Sequence, residues 1–266
     1  MFEFDEALAL EPAGPTKWTA TIPDGWDFAG IPNGGLVMAL LAKALGPATG
    51  HPDPITVTVH FAAPASPGPA EIHGEVLRSG RRFGTAGGRL IQNGRVVAHA
   101  LATFGDLVGN DDGPTYESGL PELPPIDRCI AGLDASEVFV PQIFDKVEIR
   151  FHPDHLGFAT GEKHGQPDLA GWMRLRDGRS PDLLSILLFA DAHPPSVFNA
   201  PGITFGWVPT IELTVHVHKR PVNGWIGGWF STEHINRGLL EEDGILWDES
   251  GELVAVARQI AVIPRT

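Results

Sequence analysis

Residues 55–61 read ITVTVHF, and residues 211–217 read IELTVHV. Both alternate between apolar and polar side chains, the period-two signature of a strand with one buried face. They share Thr58-Val59-His60 and Thr214-Val215-His216, at an offset of 156 residues (214 − 58). Farther on, VVAHALATF (96–104) resembles LVAVARQIA (253–261), and each follows a turn signal, Asn93-Gly94 or Ser250-Gly251. Upstream, LVMALLAKALGP (36–47) resembles LLSILLFADAHP (183–194). The chain therefore reads as a tandem duplicate of one α+β unit, in which strands, one buried helix and then several antiparallel strands follow one another. The expected boundaries are a first unit at 1–105, a linker at 106–135 and a second unit at 136–266. The linker begins DLVGNDDGPTYESGLPELPP, rich in Gly, Pro and Asp and without periodicity.

The second of these helices ends unusually. Ser180 is a suitable N-cap, Pro181 suits the first helical position, and Pro194 and Pro195 stop the chain. At about a dozen residues it is too short to span a bilayer. Asp191 lies on the stripe of Leu184, Leu187 and Leu188, at the edge of the expected core. A buried carboxylate costs several kcal/mol unless it is paired, and the C-terminal end of a helix dipole disfavours an anion. Aligning the two copies sets Asp191 against Ala44, Gln259 against Ala102 and Thr210 against Pro54. Gln259 alternates with Leu253, Ala255, Ala257 and Ala261, a small apolar face on which an amide needs a partner. Thr210 falls on the strand face opposite Leu213 and Val215. One polar residue in a core is usually satisfied locally. Three in one copy only point to a site.

Composition bounds the alternatives. The chain has 266 residues, 42% of them hydrophobic, with 32 glycines and 24 prolines. A net charge of −14 argues against nucleic acid or an anionic membrane surface as partner, and no run suggests stable membrane insertion. Cys129 is the single cysteine, so no internal disulfide forms, and it reads as a bystander. The N-terminal MFEFDEALAL lacks the basic region of a secretory signal. A cytoplasmic location is the resulting expectation.

Several segments together resemble the double hotdog acyl-CoA thioesterases, the type II thioesterase family. They are Ile31-Pro32-Asn33-Gly34-Gly35 opening the first helix, Phe189-Ala190-Asp191 closing the second, Pro209-Thr210-Ile211-Glu212-Leu213-Thr214, His218-Lys219-Arg220-Pro221, and Leu253-Val254-Ala255 with Arg258-Gln259. The resemblance implies two antiparallel sheets, each wrapped around a long apolar helix. It implies hydrolysis of an acyl-CoA to free acid and CoA, with Asp191, Thr210 and Gln259 holding the attacking water. It also implies a homo-oligomer. Coenzyme A enters as part of the substrate, and no separate cofactor is expected.

Two further groups are candidates. Asn33, Gly34 and Gly35 place bare N–H groups at a helix start, where an oxyanion is favoured. Arg78, Arg81 and Arg82, with Lys219 and Arg220, are candidate anchors for the phosphates of CoA. There is no nucleophile elbow, Walker motif or dinucleotide fingerprint, and no metal-ligand spacing; no metal is expected. His51, His60, His73, His216 and His218 are scattered over polar strand faces and loops. Two alternatives remain open: a hotdog enoyl-CoA hydratase or dehydratase using Asp191 with His193, and a non-catalytic acyl-CoA or lipid-binding module.

Overall fold

A computed structural model describes residues 1–107, 114–116, 118–133, 139–204 and 206–264. The expected linker positions 108–113, 117 and 134–135 lie outside the described residues.

The two repeat strands decide the architecture. Asp53–Phe61 and Thr210–Val217 pair with each other, antiparallel, and each is flanked on its outer side by the last strand of its own half, Arg95–Gly105 or Leu253–Val262. Thr58 stands directly opposite Thr214, and their hydroxyl oxygens are 2.8 Å apart. The remaining pairs are reciprocal about that point: His60 faces Glu212 and Thr56 faces His216. The duplication is thus laid out about a pseudo-twofold axis between equivalent threonines, the self-complementary contact of a symmetric dimer made within one chain.

One consequence corrects an expectation. In place of one sheet per half, a single antiparallel sheet of fourteen strands among the described residues runs through the 53–61/210–217 seam, and Asp27–Phe28 with Ile31–Pro32 form a separate two-stranded pair. Pairing two open edges satisfies a full row of backbone donors and acceptors that would otherwise face water or another chain. A second correction concerns the linker. Ile130–Ala131 is a strand that pairs with Val147–Phe151 and ends the sheet, and Trp172 Nε1 donates to the Pro124 carbonyl at 2.9 Å. Two residues carry no legible alternation, so composition hid this strand.

The first core helix, Gly34–Thr49, is almost entirely buried, with Met38, Ala39 and Leu41 fully enclosed. It packs against Asp53–Phe61, Gly68–Ser79, Gly84–Gln92 and Arg95–Gly105. The second, Leu183–Phe189, is only seven residues long, and it packs against the first. It is capped by Asp182 rather than Ser180. The Asp182 side chain accepts from Ser185 N at 2.8 Å, and Ser185 Oγ accepts from Asp182 N at 2.8 Å. This reciprocal pair satisfies two donors at once, more than Ser180 offers two residues earlier. The chain then continues into a 3-10 turn, Ser196–Asn199, which packs on Asp168–Leu175 and Ile226–Ser231. The helices meet closely at Gly35, where a Cβ would lie 2.7 Å from the Leu187 carbonyl oxygen and 2.8 Å from that of Leu188. Among the described residues, no helix is long and apolar enough to cross a membrane.

Candidate active site

Asp191 follows the C-terminus of the second helix, the wrong end for an anion by the dipole of its own helix. The first helix supplies the compensation. Asp191 Oδ2 accepts from Gly35 N at 3.0 Å and from Asn33 Nδ2 at 3.0 Å, and the Asn33 amide also donates to the Asp191 carbonyl at 2.6 Å. Asn33 is the N-cap, its Oδ1 accepting from Leu36 N at 3.0 Å. The carboxylate thus sits at the positive end of a sixteen-residue helix contributed by the other half. Burial still dominates and pushes its pKa up to about 7; the nearby Glu242 charge pushes the same way, while hydrogen bonds from the Gly35 and Gly34 backbones pull down.

This geometry corrects the expected role of Asn33, Gly34 and Gly35. Their donors serve Asp191, so they are not left free for a substrate oxyanion. Gly34 has no room for a side chain, since a Cβ would lie 2.8 Å from Phe61 Cζ and 3.0 Å from Asp191 Oδ2.

Thr210 and Gln259 come together by a route that strict alternation misses. Leu213 and Val215 face the core, as does Gln259, so an unbroken strand would aim Thr210 outward. A β-bulge between Thr210 and Glu212 leaves Ile211 unpaired and 42% exposed. The extra residue reverses the facing, and Thr210 Oγ1 donates to Gln259 Oε1 at 2.6 Å. The first copy carries the same irregularity between Pro54 and Thr56.

Beyond Gln259 lies a residue that sequence reasoning passed over. Gln259 Nε2 donates to Glu242 Oε1 at 2.6 Å, and Ser196 N donates to Glu242 Oε2 at 2.5 Å. Ser196 Oγ and Thr232 Oγ1 are 3.0 Å apart. Glu242 is 5% exposed, and burial raises its pKa. It stands opposite Gln259 in the sheet, where Ala86 stands opposite Ala102 in the first copy. The available signal was therefore the same polar-for-apolar exchange, carried one strand farther across the sheet.

Asp191, Thr210 and Gln259 all line one cavity of about 340 Å³, together with Phe28, Ile31, Val37, Phe61, Ile143, Phe144 and Trp207. Among the described residues, no Lys or Arg lines it. The five candidate phosphate anchors lie elsewhere. The two seam strands are antiparallel, so the cavity at Phe61 and Thr210 is roughly 25 Å of strand from the end where Asp53 and residues 218–220 meet. Arg220 is ion-paired with Asp53, and Lys219 with Glu252 and Asp248. Arg78, Arg81 and Arg82 are exposed at that same end, and Arg82 lies over the Phe83 ring. His193 also borders the cavity, but its ring packs between Phe151 and Phe230, and both ring nitrogens are buried without partners. Burial holds it neutral, with a pKa of about 3. Cys129 is buried, and burial raises its thiol pKa.

Comparison with known proteins assigns the family. The acyl-CoA thioesterase N-terminal domain matches residues 22–105, and the acyl-CoA thioesterase C-terminal domain matches residues 121–263. The chain belongs to the acyl-CoA thioesterase family. A thioesterase II candidate from Thermobifida fusca YX is 30% identical, covers 100% of this chain and 98% of its own, and superposes with a TM-score of 0.90. A protein of unknown function with a hotdog fold from Alicyclobacillus acidocaldarius is 22% identical, with a TM-score of 0.84 over 100% of this chain and 99% of its own, and speaks to the fold. An uncharacterized Mycobacterium tuberculosis protein is 28% identical over 98% of each chain. The thioesterase family and the hotdog fold thus stand as the sequence resemblance implied.

Proposed function

We propose that this thioesterase-family chain hydrolyses acyl-CoA thioesters, with a water activated by Asp191. The observation that carries the reading is a carboxylate on the wall of a mostly apolar cavity, whose pKa of about 7 suits a general base near neutral pH. Its Oδ2 is committed to Gly35 and Asn33, which leaves Oδ1 to accept a proton from water. The Thr210 hydroxyl donates its hydrogen bond to Gln259, so its oxygen is left to accept from that water. Gln259 keeps a second N–H for the water or for the developing oxyanion, the role first expected of the helix start. Glu242, accepting from Gln259 on one oxygen and from Ser196 on the other, fixes which way the amide points. The apolar wall suits the acyl chain, and with no Lys or Arg among the described lining residues the reading has the CoA phosphates outside the cavity.

The test is thiol release from acyl-CoAs of several chain lengths, wild type beside Asp191→Asn. Turnover in the wild type and a loss of 10²-fold or more in the variant support the reading. An inactive wild type across the panel refutes it. Water addition to an enoyl-CoA tests the hydratase alternative, and ligand binding without turnover would identify a binding module.

A further inference from the structure

Away from the cavity, three side chains from separate elements converge. His155 ends the 3-10 turn Pro153–His155, His164 follows the short helix Gly157–Thr160, and Asp168 opens the strand Asp168–Leu175. Their donor atoms all lie within 4.8 Å of one another. We propose that His155, His164 and Asp168 bind one divalent cation of the zinc class.

The distances suit such an ion. His164 Nε2 is 2.5 Å and His155 Nε2 is 3.8 Å from the same oxygen, Asp168 Oδ1. The two imidazoles stack nearly parallel, 7° apart with centroids 5.0 Å apart, so one ring turns as both Nε2 lone pairs converge on the ion. Bonds of about 2.0–2.1 Å at tetrahedral angles set neighbouring donors roughly 3.3–3.5 Å apart and two imidazole centroids roughly 5 Å apart. The ion therefore replaces the proton between His164 and Asp168, and the donors shift by about an ångström or less. Two imidazoles and a carboxylate form a mixed nitrogen and oxygen set that favours zinc over magnesium or calcium.

The surroundings point the same way. His155 is 5% exposed, its Nδ1 has no partner, and its Nε2 stands beyond hydrogen-bond reach of Asp168. A cation at Nε2 supplies that nitrogen with a partner, while Nδ1 stays unpaired. Asn199, 1% exposed, donates to the His155 carbonyl at 2.9 Å and to the Asp168 carbonyl at 2.8 Å, and it accepts from Phe158 N at 3.0 Å. One buried amide thus holds the backbone of two ligands in register before any ion arrives. His164 and Asp168 stay partly open to solvent, which gives an entry path. None of the three lines the cavity, so the ion braces the structure. Asn199 shares its 3-10 turn with Ser196, the donor to Glu242, and that turn connects the brace to the proposed site.

The experiment uses the full chain, stripped with EDTA and desalted. Zinc is titrated calorimetrically, bound metal is counted by mass spectrometry, and thermal unfolding is followed with and without zinc. The proposal expects one ion per chain, a higher Tm with zinc, and affinity lowered by about tenfold or more in both His164→Ala and Asp168→Asn. His164 is partly exposed, so His164→Ala is expected to fold, and circular dichroism checks this. His234→Ala, which removes an exposed His234–Glu241 pair of the same chemistry, keeps wild-type affinity. No bound ion in the wild type, equal binding in His164→Ala, or equal loss in His234→Ala would each overturn the proposal. These readouts do not depend on thioester hydrolysis.

Discussion

Asp191 shows how one side chain can be tolerable for folding and useful for chemistry together. Its pKa is raised from 3.8 to about 7, so its proton is bound more tightly folded than unfolded. The wild type therefore loses stability as pH rises from about 4 through 7, and the loss is complete above 7. Asp191→Asn carries no such penalty. Urea unfolding is expected to show the variant gaining on the wild type over that window, by on the order of 4 kcal/mol at pH 8; an equal difference at pH 4 and pH 8 would refute this. Activity has the opposite sign, because the base must be ionised. In the wild type kcat/KM should climb below pH 7 and level off above it, and a flat profile down to pH 5 would remove Asp191 as the base. Glu242 adds a second carboxylate whose charge pushes the Asp191 pKa upward. Glu242→Gln takes that charge away, so the midpoint of the same profile should move to lower pH. An unmoved midpoint would mean that the two groups do not interact.

At the scale of elements, two irregularities do most of the placing. The bulge at Ile211 turns Thr210 inward, and the close approach at Gly35 lets the first helix reach Asp191 across the second. Alternation alone put Thr210 and Gln259 on opposite faces, since a bulge leaves no mark in a seven-residue pattern. Gly35→Ala forces a methyl against two carbonyl oxygens of the second helix. It is expected to cost about 1–3 kcal/mol in denaturant unfolding. It should also depress kcat more than the stability loss explains, because the Gly35 N–H holds Asp191. A variant as stable and active as wild type would show that the helices can separate freely.

Over the whole molecule, the seam joins the halves into one sheet, and the proposed site takes residues from both. The two copies should therefore unfold together. Denaturation followed by fluorescence and by far-ultraviolet circular dichroism should give coincident, single transitions. Thr214→Val, which deletes one hydroxyl at the pseudo-twofold point, should lower the unfolding free energy by about 1 kcal/mol and keep the transition single. Two separated transitions would mean that the halves fold independently.

By itself the sequence determined the duplication, the two apolar helices, the seam strands and the odd polar residues Asp191, Thr210 and Gln259. Each of these is written as local periodicity or as a difference between two copies of one pattern. Tertiary structure decided the rest. Merging the strands into one sheet depends on which edges meet. Glu242 became visible only through its cross-strand partner, and the five cations proved to share the far end of the sheet. His155, His164 and Asp168 have no metal-ligand spacing along the chain, yet folding brings them within one ion's reach. The physical reason is common to all of these: hydrogen-bond partners, burial and charge are properties of neighbours in space, and neighbours such as Asn33 and Asp191 are 158 residues apart in sequence.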